Sequence, residues 1–115
     1  MKTVLFCAAA LAALTAQASA HAMLMHASPG AGAELSAAPR MVVLDYSEGL
    51  EPALSAATVS DAAGHDVTAK PSSAKGTEMT VALKPLAAGT YRVSWHAISV
   101  DTHHTAGSYS FTIKP

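Results

Sequence analysis

The sequence predicts an all-β fold, and three observations support that prediction. Several short segments are rich in Val, Ile, Thr and Tyr, the residue types that are enriched in strands. Within these segments apolar and polar residues alternate, as they do when one face of a strand is buried. Clusters of Gly, Pro, Asp and Ser separate the segments, and no stretch after residue 20 has the apolar period of a helix.

The first predicted strand covers residues 21–27, where the side chains alternate between two faces. The two sets are His21, Met23 and Met25 on one face and Ala22, Leu24 and His26 on the other. Residues 28–32 contain a proline and two glycines, which end the strand. Residues 35–40 are predicted to form a loop before the next strand.

The next predicted strand, residues 41–46, is rich in β-forming residues. Residues 47–52 are polar and turn-forming, so we expect them at the end of that strand. Residues 57–60 are predicted to form a strand, and residues 65–69 a short strand that returns after a turn at residues 61–64.

The remaining segments complete a set of about seven short strands. Residues 70–76 have the Pro, Ser and Gly content of an exposed loop, and residues 78–83 alternate as a strand. Residues 90–100 form the longest predicted strand, and residues 108–113 the last one. In the strand at residues 90–100, the predicted core face carries Tyr91, Val93, Trp95 and Ala97, and the outer face carries Arg92, Ser94, His96 and Ile98. Short strands with regular turns favour a small antiparallel β-sandwich, in the manner of immunoglobulin-like folds.

Residues 1–20 have the three parts of a secretory signal peptide. Lys2 supplies the positive start, and residues 4–14 form an apolar stretch shorter than the ~20 residues that span a bilayer. Ala18-Ser19-Ala20 is an A-x-A cleavage site. We therefore predict a signal peptide at 1–20 and one domain at 21–115, with a mature chain that begins at His21.

The composition of residues 21–115 excludes several classes of site. The only cysteine, Cys7, lies in the apolar part of the leader. Disulfides, thiolate zinc sites, blue-copper sites and cysteine nucleophiles are therefore excluded. Cleavage removes one of the seven Lys and Arg residues and none of the eight Asp and Glu, which leaves six against eight. Without a concentrated basic patch, nucleic acid is not an expected partner.

A metal site is indicated by the two ends of the mature chain. A terminal His21 offers its α-amine, with an ordinary pKa of about 7.7–8.0, and its imidazole as one chelate. Asp101 and His103 are two residues apart, so in an extended segment they project to the same side. Three nitrogens and one oxygen suit the tetragonal preference of copper(II), and we predict one such ion per chain. Zinc remains possible with the same ligands.

Other histidines and methionines are assigned as follows. His65 beside a turn and His96 on an outer strand face are predicted to be solvated or structural. His26 and His104 are left open as alternative ligands or as groups that support the ligands. Met23 and Met25 share a predicted face with His21, where they either form a copper(I) site or fill the core or its rim. Met41 and Met79 are predicted to pack within strands.

The chain resembles the CopC family of periplasmic copper-binding proteins, which are also known as copper resistance proteins. The resemblance covers nearly all of residues 21–115. The motifs that carry it are His21-Ala22, Ser28-Pro29, Gly32-Ala33, Ala38-Pro39, Tyr46-Ser47-Glu48, Glu51-Pro52, Gly89-Thr90-Tyr91, Val93-Ser94-Trp95, Ser99, Asp101-Thr102-His103, Gly107 and Phe111.

The resemblance implies a Greek-key β-sandwich or barrel that binds copper(II) through His21, Asp101 and His103. Some members add a glutamate, which matches Glu48. It also implies a carrier or buffer in copper homeostasis, located in the periplasm of a Gram-negative bacterium, with a CopD-type inner-membrane transporter as a partner. Members with a copper(I) site carry a methionine-rich loop, whereas residues 59–67 here contain no methionine. A copper(I) site of that type is therefore not expected.

Two other classes of function compete with a copper carrier. Copper monooxygenases also use an amino-terminal histidine, but Asp101 would fill a position that oxygen activation needs open. The single tryptophan of the chain is also predicted to be in the core, which leaves no aromatic platform for a polysaccharide. The third class is a metal-free immunoglobulin-like module of the periplasm. We therefore predict a non-enzymatic protein; the sequence does not determine its oligomeric state.

Overall fold

Two four-stranded sheets pack face to face in the computed structural model, which describes residues 22–115. The strands are β1 (Leu24–Ser28), β2 (Glu34–Leu35), β3 (Met41–Tyr46), β4 (Ala56–Ser60), β5 (Ser73–Lys75), β6 (Glu78–Ala82), β7 (Gly89–Ile98) and β8 (His104–Ile113). The sheet orders are β1-β3-β6-β5 and β2-β8-β7-β4, and only β2 and β8 pair in parallel. The predicted β-sandwich is confirmed.

Helical structure within residues 22–115 is limited to a single 3₁₀ turn at Pro52–Leu54. Over the same range, no helix is long and apolar enough to cross a membrane. The predicted signal peptide at residues 1–20 lies outside the described residues.

The core forms where the inward faces of the two sheets meet. Its alternation is clear in β3, where Val42, Leu44 and Tyr46 are buried and their neighbours are more exposed. Each fully buried Val or Leu side chain stabilises the fold by about 1.5–3 kcal/mol. Because residues 21–115 contain no cysteine, this apolar packing supplies stability that small secreted domains often draw from disulfides.

Two of the predicted segments differ from the structure. Residues 65–69 do not form a strand and make only isolated bridges, Ser60 with Asp66 and Thr68 with Leu83. The reason is local: the Asp66 carboxylate accepts hydrogen bonds from the Thr68 N–H and hydroxyl, which competes with strand pairing. The predicted loop at 70–76 contains β5, which pairs with β6 over three residues, too few to show an alternating pattern.

The remaining strand boundaries shift at their ends. The first residue of the predicted loop at 35–40 belongs to the two-residue strand β2, and the longest predicted strand ends at Ile98 instead of Val100. The final strand begins four residues before the expected residue 108, at His104. The hairpin of β7 and β8 therefore closes with the pair Ile98–His104 and leaves residues 99–103 as its loop.

Trp95 is half-buried against the core and sits in an edge-to-face contact with Tyr46, with ring centroids 5.3 Å apart. Its pairing partner on β8 is Gly107. A Cβ at position 107 would lie 2.8 Å from Trp95 Cζ2, inside van der Waals contact. The absence of a side chain at Gly107 therefore leaves the space that the indole ring occupies on the sheet.

Gly107→Ala is expected to lower the free energy of unfolding by about 1–3 kcal/mol, because the added methyl group overpacks the Trp95 ring. Urea denaturation of the metal-free protein measures the change. Gly49→Ala serves as the matched control, since its Cβ would make an ordinary 3.6 Å contact with Val100 Cγ1. Equal stability of the two variants would show that the ring has room to move.

Candidate metal centre

The hairpin loop between β7 and β8 brings two predicted ligands together. His103 Nδ1 lies 3.2 Å from Asp101 Oδ1, and both side chains are about half exposed. The His103 backbone N–H also points at the same carboxylate oxygen, at 3.4 Å. A turn, and not the extended segment expected from the sequence, thus places an imidazole and a carboxylate side by side at one end of the sandwich.

Ser99 is the residue that fixes this loop, and sequence reasoning did not assign it a role in the site. It is completely buried, and its backbone N–H donates to the His103 carbonyl at 2.8 Å. Its hydroxyl donates to Asp101 Oδ1 and accepts from the His103 N–H at 3.2 Å. Thr102 completes the turn with a φ of 73°. One buried serine therefore orients both candidate ligands.

The carboxylate is held in its charged form. The hydrogen bond from the Ser99 hydroxyl lowers the pKa of Asp101 below its ordinary value, and the contacts with His103 act in the same direction against desolvation. A carboxylate that stays ionised at neutral pH is ready to bind a cation.

Ser99→Ala is expected to raise the pKa of Asp101 toward its ordinary value of about 3.9. Because the wild-type pKa is depressed on folding, the corresponding stabilisation is present above about pH 4 and is lost as pH falls through the folded pKa. Carboxyl NMR titration of the metal-free protein measures this shift. Thr68→Ala is the control, since it should raise the pKa of Asp66 and leave Asp101 unchanged. An Asp101 titration unchanged by Ser99→Ala would contradict the assignment.

Glu48 lies in the loop that follows β3, and this loop runs beside the candidate ligands. The carbonyl of Gly49 accepts from the Val100 N–H at 3.0 Å, and Leu50 forms an isolated bridge with Ser99. The backbone that directly follows Glu48 is thereby hydrogen-bonded to the backbone that directly precedes Asp101. The structure thus places Glu48 at the same end of the sandwich as Asp101 and His103.

The described chain also begins at this end of the molecule. Ala22 is fully buried, and its carbonyl accepts a 2.9 Å hydrogen bond from the Thr105 hydroxyl. Met23 exchanges two hydrogen bonds with Ser47, one from its own N–H to the serine hydroxyl and one to its carbonyl from the Ser47 N–H. The start of the described chain is therefore held between the loop after β3 and the first residues of β8. His21 itself lies outside the described residues.

The other histidines lie on exposed surfaces at separate places. His104 opens β8 next to His103, and His96 lies on β7. His65 is 3.4 Å from Asp61 Oδ2 in its turn. Among the methionines, Met79 packs in the core as predicted, whereas Met41 is exposed, which corrects its assignment to strand packing.

Within residues 22–115, no group of three or more His, Cys, Asp or Glu side chains is placed to hold a metal ion. The Asp101–His103 pair therefore needs donors from elsewhere. The buried neighbour of His21 lies against Thr105, two residues from His103. Sequence reasoning could not have found Thr105, since this contact joins residues 83 positions apart.

Comparison with known proteins identifies the family. Residues 24–114 match the CopC domain. The chain belongs to the CopC family. Copper resistance protein C of Xanthomonas campestris pv. juglandis is 41% identical over 121 residues, covering 97% of this chain and 93% of that protein. Protein YobA of Escherichia coli (strain K12) is 37% identical over 99 residues, covering 83% of this chain and 80% of that protein.

A solved structure supports the same assignment for the fold. The crystal structure of CopC from Methylosinus trichosporium OB3b superposes with a TM-score of 0.77 at 34% identity, covering 83% of this chain and 95% of that chain. The CopC-family membership expected from the sequence motifs is therefore confirmed, and it relates this chain to proteins named for copper resistance.

Proposed function

We propose that this protein is a periplasmic carrier or buffer that binds one copper(II) ion per chain and serves copper homeostasis. The signal peptide at 1–20 is removed, and the mature domain at 21–115 begins with the chelating His21. The observation that carries the proposal is the hydrogen bond from Thr105 to the carbonyl of Ala22, which anchors the residue next to His21 beside the Asp101–His103 pair.

Covalent geometry limits how far the first ligand can be from the others. The Cα atoms of residues 21 and 22 are about 3.8 Å apart across a trans peptide bond. Ala22 is buried and hydrogen-bonded to Thr105 near the start of β8, so a ligand at the residue directly before it would need to span only a short distance to Asp101 and His103. This arrangement supports a single ion shared by the two ends of the mature chain.

The proposed donor set comprises the His21 amine, the His21 and His103 imidazoles, and the Asp101 carboxylate. Three nitrogens and one oxygen, with no thiolate, favour copper(II) by ligand type and over zinc by the order of affinities. Ser99 would hold the carboxylate in place, as residues that support metal ligands commonly do. Glu48 would add a further oxygen from the neighbouring loop, and the copper would pass to a CopD-type membrane transporter.

A non-catalytic role fits these donors better than a monooxygenase, since Asp101 would occupy a position that oxygen activation requires. The name of a relative agrees with this role, because the similar protein of Xanthomonas campestris pv. juglandis is called a copper resistance protein. Peroxide turnover driven by a reductant should accordingly not exceed that of free copper.

Native mass spectrometry of the secreted protein, with and without copper(II), tests the proposal. We expect a chain of residues 21–115 that gains the mass of one copper ion. A chain that begins at another residue, or one that retains no copper, would contradict it.

A further inference from the structure

The first strand contains a β-bulge that changes which side chains face outward. Leu24 of β1 pairs with Tyr46 of β3, and His26 pairs with Asp45. The chain therefore advances by two residues on β1 while it advances by one residue on β3. Met25 is the extra residue. In an unbroken strand Leu24 and His26 would share a face, whereas a bulge of this kind turns two consecutive side chains to the same side.

The burial pattern agrees with this geometry. Leu24 and Ala27 are partly buried and pack against the core, while Met25 and His26 between them are exposed. The expectation that His26 shares a face with Leu24 is therefore wrong. Met23 is also outside, since it lies between buried Ala22 and partly buried Leu24. Two methionines and one histidine thus stand on one outer face within four consecutive residues.

The exposure of these methionines has no explanation in packing. Met23 is 52% exposed and Met25 68% exposed, although burying a methionine side chain would stabilise the fold. The core does accept methionine, because Met79 is completely buried. The alternative assignment of Met23 and Met25 to the core is therefore not supported by the structure.

Their chemistry suits a soft metal ion. Thioether sulfur prefers copper(I), and imidazole is also a good ligand for copper. The unbranched methionine side chain has three rotatable bonds, so sulfurs from positions 23 and 25 can reach toward a common point near the His26 ring. The outer face of β1 is open to an incoming ion, because the side chains of Met23, Met25 and His26 are exposed there.

We propose that Met23, Met25 and His26 form a copper(I) site on the outer face of β1. The site shares no donor with the copper(II) centre proposed above and does not require a free amine at residue 21. It also differs from the type expected from family resemblance, whose methionines would lie in residues 59–67. The protein would then hold either oxidation state of copper on separate ligands at neighbouring positions of the chain.

Competition with the chromophoric chelator bicinchoninate, without oxygen and with ascorbate present, measures copper(I) binding by the secreted protein. We expect the wild type to bind one copper(I) ion. The double variant Met23→Leu/Met25→Leu and the variant His26→Asn should each lower the copper(I) affinity by about 10-fold or more. Leucine replaces methionine at nearly constant volume, so these variants should keep their fold. Met41→Leu is the matched control, because Met41 is a similarly exposed methionine on another strand, and it should bind as the wild type does.

Methionine methyl NMR gives a second readout that does not depend on variants. Addition of copper(I) should shift the methyl resonances of Met23 and Met25 and leave those of Met41 and Met79 in place. Unmoved Met23 and Met25 resonances, or full copper(I) binding by the double leucine variant, would overturn the proposal.

Copper(II) titration of the same variants separates this site from the proposed carrier centre. The methionine variants should bind copper(II) normally, and Asp101→Asn should bind copper(I) normally. Loss of copper(I) binding in Asp101→Asn as severe as in the methionine variants would also overturn the proposal, because the two ions would then share ligands. Failure of copper(II) binding alone would refute the carrier centre and leave the copper(I) site standing.

Discussion

A leucine inserted between Ala20 and His21 is expected to weaken copper(II) binding by more than about 100-fold, beyond the loss typical when a group that only supports a metal ligand is removed. The insertion keeps the His21 imidazole but moves the α-amine to another residue, which breaks the proposed chelate ring. Cleavage should still follow Ala20, because leucine does not fit the small-residue position of an A-x-A site. Competition titration of the secreted variant measures the affinity.

The control for this insertion is a leucine added after Pro115, which changes the mass equally and leaves the chain start intact. It should bind copper(II) as the wild type does. Mass spectrometry of both variants verifies the cleavage site. If the insertion at residue 21 left the affinity unchanged, the amine would not be a ligand.

Asp101→Asn is expected to weaken copper(II) binding by about 10- to 100-fold, with little effect on the fold. The substitution keeps the shape of the side chain and its position in the loop, where the Ser99 hydroxyl can still donate to the amide oxygen. It removes the negative charge that would bind the ion. Isothermal titration with copper(II) near neutral pH measures the loss.

Asp66→Asn is the matched control for Asp101→Asn. Asp66 is also an exposed aspartate in a local turn, and its carboxylate accepts hydrogen bonds from the Thr68 N–H and hydroxyl, at 2.8 and 2.7 Å. Its replacement should leave copper(II) affinity unchanged. Equal affinity in both variants would show that copper(II) does not use the carboxylate of Asp101.

The fold was predictable where burial imposes a simple alternation. β3 occupies residues 41–46 as expected, since its buried residues alternate with more exposed ones along the strand. Prediction failed at residues 65–69, where the Asp66 side chain accepts the Thr68 N–H, a backbone group that the pattern assigns to a sheet. It also failed at the bulge of β1, because an extra residue such as Met25 changes the outward face without changing the alternation of residue types.

The candidate site was predictable only in part, for reasons of distance along the chain. Asp101 and His103 could be paired because they are only two residues apart. The extended segment assumed for that pairing is wrong, since a turn with Thr102 in the left-handed region brings the two side chains together. Glu48 came from family resemblance, and the pairing of its loop with the β7–β8 loop requires the folded sheet. The contact between Ala22 and Thr105 has no local signal at all, although it brings the start of the described chain to the candidate metal centre.

Pulsed EPR of the copper(II)-loaded secreted protein, grown with histidine labelled with ¹⁵N only in its ring, tests the central claim most directly. A centre built from the His21 amine and the His21 and His103 rings predicts two strongly coupled ¹⁵N nuclei and one strongly coupled ¹⁴N nucleus from the amine. A spectrum with ring nitrogens alone, or with a single strongly coupled nitrogen, would contradict the proposed centre.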